Sequence, residues 1–419
     1  MESMLEKIIF HIDVNSAYLS WTAVNQLQYD KNSIDIRKIP SIIGGSSEDR
    51  RGVVLAKSIP AKKFNIITGE PVVAALKKCP DLKIFPPNHK LYMECSNAMF
   101  KLIRDYSNTI ERYSIDEVFM DVSHFKNDYL NKANEIKLRL ENELGFTVNI
   151  GIGNNKLLAK MASDFPKKNH IHTIFKNEIE KKLWPMPIGN LFMVGKSAKK
   201  KLIELNICTI GDLATYNLNI LKTIFKSYAI TIYEYANGID NSEVDGKSCI
   251  DIKGIGNSTT TKNDILNEND ALKVLLNLTE TVAMRLRENN TLGGVVAVSI
   301  KSNMFMTYSH QKTLLTPTDS TTQLFNDVTR IFKDMWKGEG IRLLGVRVTK
   351  LSSNKIYQRS LFDDSKSEKQ KSLDKTIDKI RGKYGDAAII RSTFINSDIN
   401  PIVEKNQEDY LMMGGLYEP

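Results

Sequence analysis

Asp116 and Glu117 stand side by side within Tyr113–Asp121, a stretch whose other residues, Ile115, Val118, Phe119 and Met120, read as buried strand. An ionised acid in such company is tolerated only when it is paired, hydrogen-bonded or bound to a metal. Successive side chains on a strand point to opposite faces, so two adjacent acids serve one site only if a turn falls beside them. The stretch therefore reads as a hairpin with both acids near its tip. A second apolar run, Lys7–Val14, carries Asp13 at its exit. Three acids delivered from two strand ends make an oxygen seat for hard cations, and Mg²⁺ favours seats it can share with substrate phosphates. On these stretches alone another reading stays open, in which Asp116 and Glu117 are solvated turn residues and Asp13 caps a helix.

The elements needed to bring these acids together can be read in chain order. Asn15–Val24 reads as a helix with Asn15 or Ser16 at its N-cap, which would set free backbone amides beside Asp13 for a phosphate chain. Ser41–Ile43 and Gly52–Leu55 read as a hairpin, and Ile59–Phe64 opens a short helix bearing Lys62 and Lys63. Helices over Asn88–Tyr106 and Leu130–Leu144 flank the acidic hairpin. A strand at Thr147–Ile152 and a helix at Leu157–Asp164 follow. This order is the split βαβ plan, in which the first strand lies beside the hairpin and Asp13 can approach Asp116.

From Ile188 the texture changes. Met193–Leu202 and Leu205–Leu213 read as helices around a glycine turn at Gly195, whose amides, with Lys196 beside them, can grip a DNA phosphate without reading bases. A polar linker at 241–252 precedes a second strand, helix, two strands, helix, strand series. Lys301, His310, Lys312, Arg342, Arg347 and Lys350 fall in or beside its strands, giving a cationic sheet face suited to a duplex backbone. Beyond it, Gln358–Asp364 presents Leu361 and Phe362 in a polar setting, a short element able to dock in a partner's groove. Leu373, Ile377 and Ile380 at helical spacing predict one more small helix.

Composition bounds the rest. A chain of 419 residues exceeds one ordinary core, and 58 basic against 49 acidic residues leave a formal charge of +9 that favours a polyanionic partner. Cys79, Cys95, Cys208 and Cys249 lack metal or disulfide spacing, which fits a reducing cytosol. No apolar run approaches ~20 residues and no signal peptide opens the chain, so a membrane location is not expected.

Taken jointly, Phe10-His11-Ile12-Asp13 with Tyr18, Ser114-Ile115-Asp116-Glu117, Gly151–Lys160, the hairpin at Gly195 and Gln358–Phe362 resemble the Y-family of lesion-bypass DNA polymerases. Gly52–Ala56 and the long tail look most like its bacterial polymerase V catalytic-subunit-like branch. The resemblance implies an α+β multidomain right-hand polymerase: a ferredoxin-like palm (1–20 and 75–170), small fingers (21–74), a helix-hairpin-helix thumb (171–240), a linker (241–252), a βαββαβ little finger (253–352) and a tail (353–419). It implies that Asp13, Asp116 and Glu117, with the Val14 carbonyl, hold two Mg²⁺ ions for nucleotidyl transfer from a dNTP to a primer 3′-hydroxyl on template DNA. Asn15, Ser16, Ala17, Lys62 and Lys167 would meet the triphosphate, and Tyr18 would be the steric gate against a ribose 2′-hydroxyl. Gly195, Lys196, Lys301, Lys312, Arg342 and Arg347 would contact DNA, and Gln358, Leu361 and Phe362 would bind the sliding clamp. Translesion synthesis in an SOS-type damage response, mutagenesis, a cytoplasmic, nucleoid-associated location and a recombinase or accessory subunits as further partners are implied too. The fingers are too small for strict induced-fit checking, which points to low fidelity. A non-catalytic clamp-binding scaffold of the same fold is the alternative.

Overall fold

The computed structural model describes residues 7–45, 52–166, 169–246, 252–353, 365–385 and 388–395, with side chains omitted at 365–368. Lys167 and the Gln358, Leu361 and Phe362 motif lie outside these residues. The chain divides into two compact units, one carrying residues up to 45 and 53–249, the other 250–413.

The first unit is built on β1 (Ile9–Val14), whose side chains are almost all buried because both of its edges are paired and both faces covered. It is followed by α1 (Ala17–Tyr29), then β2 (Ser41–Gly44), β3 (Val54–Lys57), α2 (Ile59–Lys62), α3 (Val72–Lys78) and β4 (Lys83–Phe85). Strands β3, β2 and β4 form a small sheet in that order. Gly44 and Ala56 are buried in it, and a Cβ on Gly44 would meet the Val53 carbonyl oxygen at 2.9 Å, so their small size lets these strands pack closely.

Next come α4 (His89–Ile103), capped by the Asn88 side chain, the hairpin β5 (Ile110–Arg112) and β6 (Glu117–Asp121), α5 (Tyr129–Leu144), β7 (Val148–Gly153), α6 (Lys156–Ser163) and β8 (Ile171–Ile174). The main sheet runs β5-β6-β1-β7-β8, with β1 antiparallel to both β6 and β7. This is the pairing the split βαβ reading requires, with β8 added parallel to β7. Four short helices complete the unit: α7 (Lys196–Glu204), α8 (Ile210–Ala214), α9 (Leu218–Phe225) and α10 (Tyr228–Ala236), around a core that includes Leu202, Ile210, Leu213, Leu221 and Ile232.

The second unit contains β9 (Gly254–Ile265), α11 (Glu268–Glu288), β10 (Thr291–Ser302), β11 (Thr307–Thr318), α12 (Thr321–Met335), β12 (Ile341–Ser353) and α13 (Ser365–Tyr384). The βαββαβ element order recurs, but the strand order is β11-β10-β12-β9, so the last strand pairs with the first and second rather than repeating the first unit's arrangement. Its core is the face where Val296, Val298, Ile300, Leu344 and Val346 meet α11 and α12. Among the described residues no helix is long and apolar enough to cross a membrane.

Candidate active site

In the β1–β6 register Asp13 lies directly opposite Glu117, which puts both carboxylates on one face at the same end of the sheet. Asp116 is the last residue of the turn. Its carbonyl accepts the Val14 N–H at 3.1 Å, and the Tyr113 and Ser114 amides both donate to the Glu117 carbonyl at 3.0 and 3.2 Å. The turn therefore does what adjacent acids require, bringing Asp116 in beside β1. Ser114 Oγ donates to Asp116 Oδ1 at 2.7 Å.

A cation sits among these acids. Lys160 Nζ lies 2.8 Å from Glu117 Oε1, 4.0 Å from Asp13 Oδ2 and 3.6 Å from Asp164 Oδ1. It gets there because α6 rests on the bare backbone of β7: a Cβ on Gly151 would fall 2.0 Å from the Ala159 carbonyl oxygen. Beneath, the buried His11 ring places Nδ1 2.7 Å from Ser163 Oγ and Nε2 3.6 Å from Glu117 Oε2. Lys160, His11 and Ser163 were not singled out from sequence as site residues. A lysine inside the apolar run Leu157–Ala162 was the available signal.

Burial sets the electrostatics. It pushes the Asp13 carboxyl up to about 8, with the neighbouring Glu117 charge adding to the rise and Lys160 opposing it. Burial also raises Asp116, against the Ser114 hydrogen bond. At Glu117 burial acts upward too, but His11 and Lys160 outweigh it and hold the carboxyl at about 2. Burial lowers His11, and the raised Lys160 is the main cation balancing Glu117.

Among the described residues no group of three His, Cys, Asp or Glu side chains is gathered as a ready-made metal cage. Asp13, Asp116 and Glu117 nevertheless fit hard divalent cations: all are oxygen donors from one sheet end, and the raised Asp13 marks a place short of positive charge. Near pH 7 a cation bound there must expel the Asp13 proton, so affinity for a divalent ion should rise with pH until about 8. Calorimetry in buffers of different ionisation enthalpy would read the released proton; none released would refute it.

Beside this cluster, α1 begins after Ser16, which takes a left-handed conformation (φ 50°), and no side chain caps the helix. The expected cap at Asn15 or Ser16 is thus absent; the Asn15 amide donates instead to Thr147 Oγ1 at 3.3 Å. Tyr18 stacks on Tyr92 with centroids 4.4 Å apart and planes within 8°, and the fully buried Tyr92 hydroxyl lies 3.2 Å from Thr22 Oγ1. The Tyr18 ring is held by a partner that sequence reasoning missed. Lys62 ends α2 and is exposed.

At the glycine turn the left-handed residue is Met193 (φ 73°), while Gly195 has φ −77° and precedes the exposed Lys196. A Cβ on Gly195 would meet nothing within 4 Å. On the second unit's sheet Lys301 and Arg347 stand on the face away from the helices, opposite Leu343 and Ala297. Arg342 joins Lys301 around the Phe305 ring, at 4.9 and 5.0 Å. Lys312 does not belong with them. It pairs with Val296, whose side chain faces the helices, and its Nζ reaches Asp327 of α12 at 2.9 Å. His310, opposite Val298, is turned the same way.

Residues 12–164 match the impB/mucB/samB family and residues 252–361 match that family's C-terminal domain. The chain belongs to the Y-family of DNA polymerases. It is 48% identical over 396 residues to DNA polymerase IV of Clostridium acetobutylicum, covering 94% of this chain and 100% of the relative. It is 35% identical over 404 residues to DNA polymerase IV 2 of Bacillus subtilis, covering 94% and 96%. In fold it resembles a solved Y-family DNA polymerase chimera with a TM-score of 0.70 at 22% identity, covering 83% of this chain and 100% of the other. The mixed α+β architecture of this Y-family chain accords with a palm, fingers, thumb and little finger.

Proposed function

We propose that this Y-family chain is a DNA-directed DNA polymerase performing translesion synthesis, with catalysis at Asp13, Asp116 and Glu117. The observation that carries the site is Asp13 facing Glu117 across β1 and β6, with Asp116 brought in by the turn. These three carboxylates and the Val14 carbonyl would hold two Mg²⁺, which lower the pKa of a primer 3′-hydroxyl and neutralise the departing pyrophosphate. The chain's own part is to fix those oxygens, to set Asn15, Ser16 and Ala17 at the start of α1 beside the triphosphate, and to add cations at Lys62 and Lys167. Lys160 would give up Glu117 as the divalent ions bind.

The domain assignment that goes with this reading is palm at 1–20 and 75–170, fingers at 21–74, thumb at 171–240 and little finger at 253–352. Primer-template DNA would be held by Gly195 and Lys196, where no neighbour among the described residues crowds a Cβ, and by Lys301, Arg342 and Arg347. Lys312, engaged by Asp327, is left out. Within the family, relatives named DNA polymerase IV favour that type over the polymerase V-like branch. Gln358, Leu361 and Phe362 are proposed to tether the enzyme to the bacterial sliding clamp, raising local concentration where intrinsic processivity is low. Retention of all three acids speaks against a non-catalytic scaffold.

Extension of a primer past an abasic site or a pyrimidine dimer, in Mg²⁺ with purified protein, tests the reading. Extension on undamaged template that stops at every lesion would remove the bypass activity. Tyr18→Ala should admit ribonucleotides, with discrimination against them falling by about 10²-fold or more as a packed ring is lost. Unchanged sugar selectivity in single-nucleotide incorporation would remove the gate.

A further inference from the structure

Helix α13 divides its charges between two faces. Its described acids turn inward. Arg287 of α11 donates to both oxygens of Asp378, at 2.5 and 3.0 Å, and to the Asp319 carbonyl at 2.8 Å. Asp374, 3% exposed, accepts the Thr321 N–H at 3.0 Å and so caps α12. Arg381, also buried, donates to the Ile389 carbonyl and lies 3.7 Å from Glu280, which accepts from Arg391 at 2.6 Å. These buried contacts anchor α13 against α11 and α12, on the helix side of the sheet.

Among the described side chains the outward face has one sign. Lys369, Lys375, Lys379 and Lys383 are exposed, with Ser372 and Thr376 between them. At 3.6 residues per turn these six positions fall within about 120° of arc. Among the described residues none of the four lysines has an acidic partner, and Lys383 rests over the Tyr384 ring at 5.1 Å. Exposed Leu373 and Tyr384 lie to one side of the stripe, which itself offers no apolar surface to a membrane or a protein core. From Lys369 to Lys383 the stripe is about 21 Å long, which matches about six phosphates along one DNA strand.

We propose that the outward face of α13 is a second, sequence-independent contact for nucleic-acid backbone, separate from the strand face that carries Lys301 and Arg347. Compact ammonium groups and hydroxyls on a helix already fixed by buried ion pairs suit phosphate oxygens and pay little ordering entropy on binding. The proposal rests on the reading of the chain as a DNA-handling enzyme.

The test uses the full chain with Lys369, Lys375, Lys379 and Lys383 all changed to Gln, which keeps helix propensity while removing charge. Fluorescence anisotropy of a labelled primer-template, without catalytic metal, is followed against KCl concentration. Matched circular dichroism and melting would certify the fold. The slope of log affinity against log salt should fall in magnitude by about 3, and affinity at about 0.1 M salt should drop tenfold or more. The four-Arg counterpart should retain both values. Slope and affinity equal to the parent protein's would overturn the proposal, and with them unchanged, loss of binding to an acidic protein would reassign the stripe. Primer extension at saturating DNA, read separately, should match the parent; a parent without extension would sink the polymerase reading while the anisotropy still decides the stripe.

Discussion

Asp116→Ala should stop Mg²⁺-dependent primer extension while leaving primer-template affinity unchanged. Among the described residues the Asp116 carboxylate accepts from Ser114 Oγ at 2.7 Å and from its own backbone amide, and it is the backbone carbonyl of this residue, not its side chain, that joins the turn to β1 at Val14. Alanine thus keeps the hairpin and removes one of the three oxygen donors. A cation seat contributes several kcal/mol to transition-state stabilisation, and about 1.4 kcal/mol is tenfold in rate, so a loss of ~10³-fold or more is expected. Single-turnover extension with saturating primer-template reads the chemistry, and anisotropy reads the binding. Extension within tenfold of the parent would take Asp116 out of the catalytic set.

Lys160→Met should destabilise the metal-free protein by about 3–5 kcal/mol, the range for removing one partner of a buried ion pair. The side chain is only 9% exposed and faces Glu117, Asp13 and Asp164. Glu117, held at about 2 against an ordinary 4.5, supplies stability that is present above pH 4.5 and lost as pH falls toward 2. Asp13, raised from 3.8 to about 8, works in the other direction and costs stability increasingly as pH rises between those values. Removing the lysine weakens the first effect and worsens the second. The gap between variant and parent should therefore be widest above pH 8 and close below pH 4. Divalent ions should restore much of it, since they supply the missing charge and stabilise by mass action. Denaturant melts across pH, with and without Ca²⁺, check this; a gap independent of both pH and metal would mean Lys160 acts through packing alone.

The acids were legible in sequence because charge is costly inside an apolar strand, and Asp13, Asp116 and Glu117 each interrupt or end one. Lys160 was harder, since its meaning depends on α6 lying flat on Gly151, a contact visible only once the helix is placed. Lys312 shows how a sheet misleads. Side chains alternate strictly, so the face it takes is decided by the register of β10 with β11, and a one-residue difference in the connection reverses it. The strand order of the second unit was equally out of reach, because β12 pairs with strands that precede it by whole helices and its element order allows more than one pairing. The helix at Leu373, Ile377 and Ile380 followed from periodicity, yet it is Asp374, Asp378 and Arg381 that dock it, through distant partners that no local pattern reveals.

The central position of β1 has a consequence for how the protein is made. Its Ile9 pairs with Asp121 on one edge and Gly153 on the other. At about 5–20 residues per second, some 7–30 s of translation separate the birth of this strand from that of its last neighbour. Until β6 emerges this apolar ribbon has both edges bare, and one edge stays bare until β7 follows, so the sheet that carries Asp13 and Glu117 closes late in synthesis.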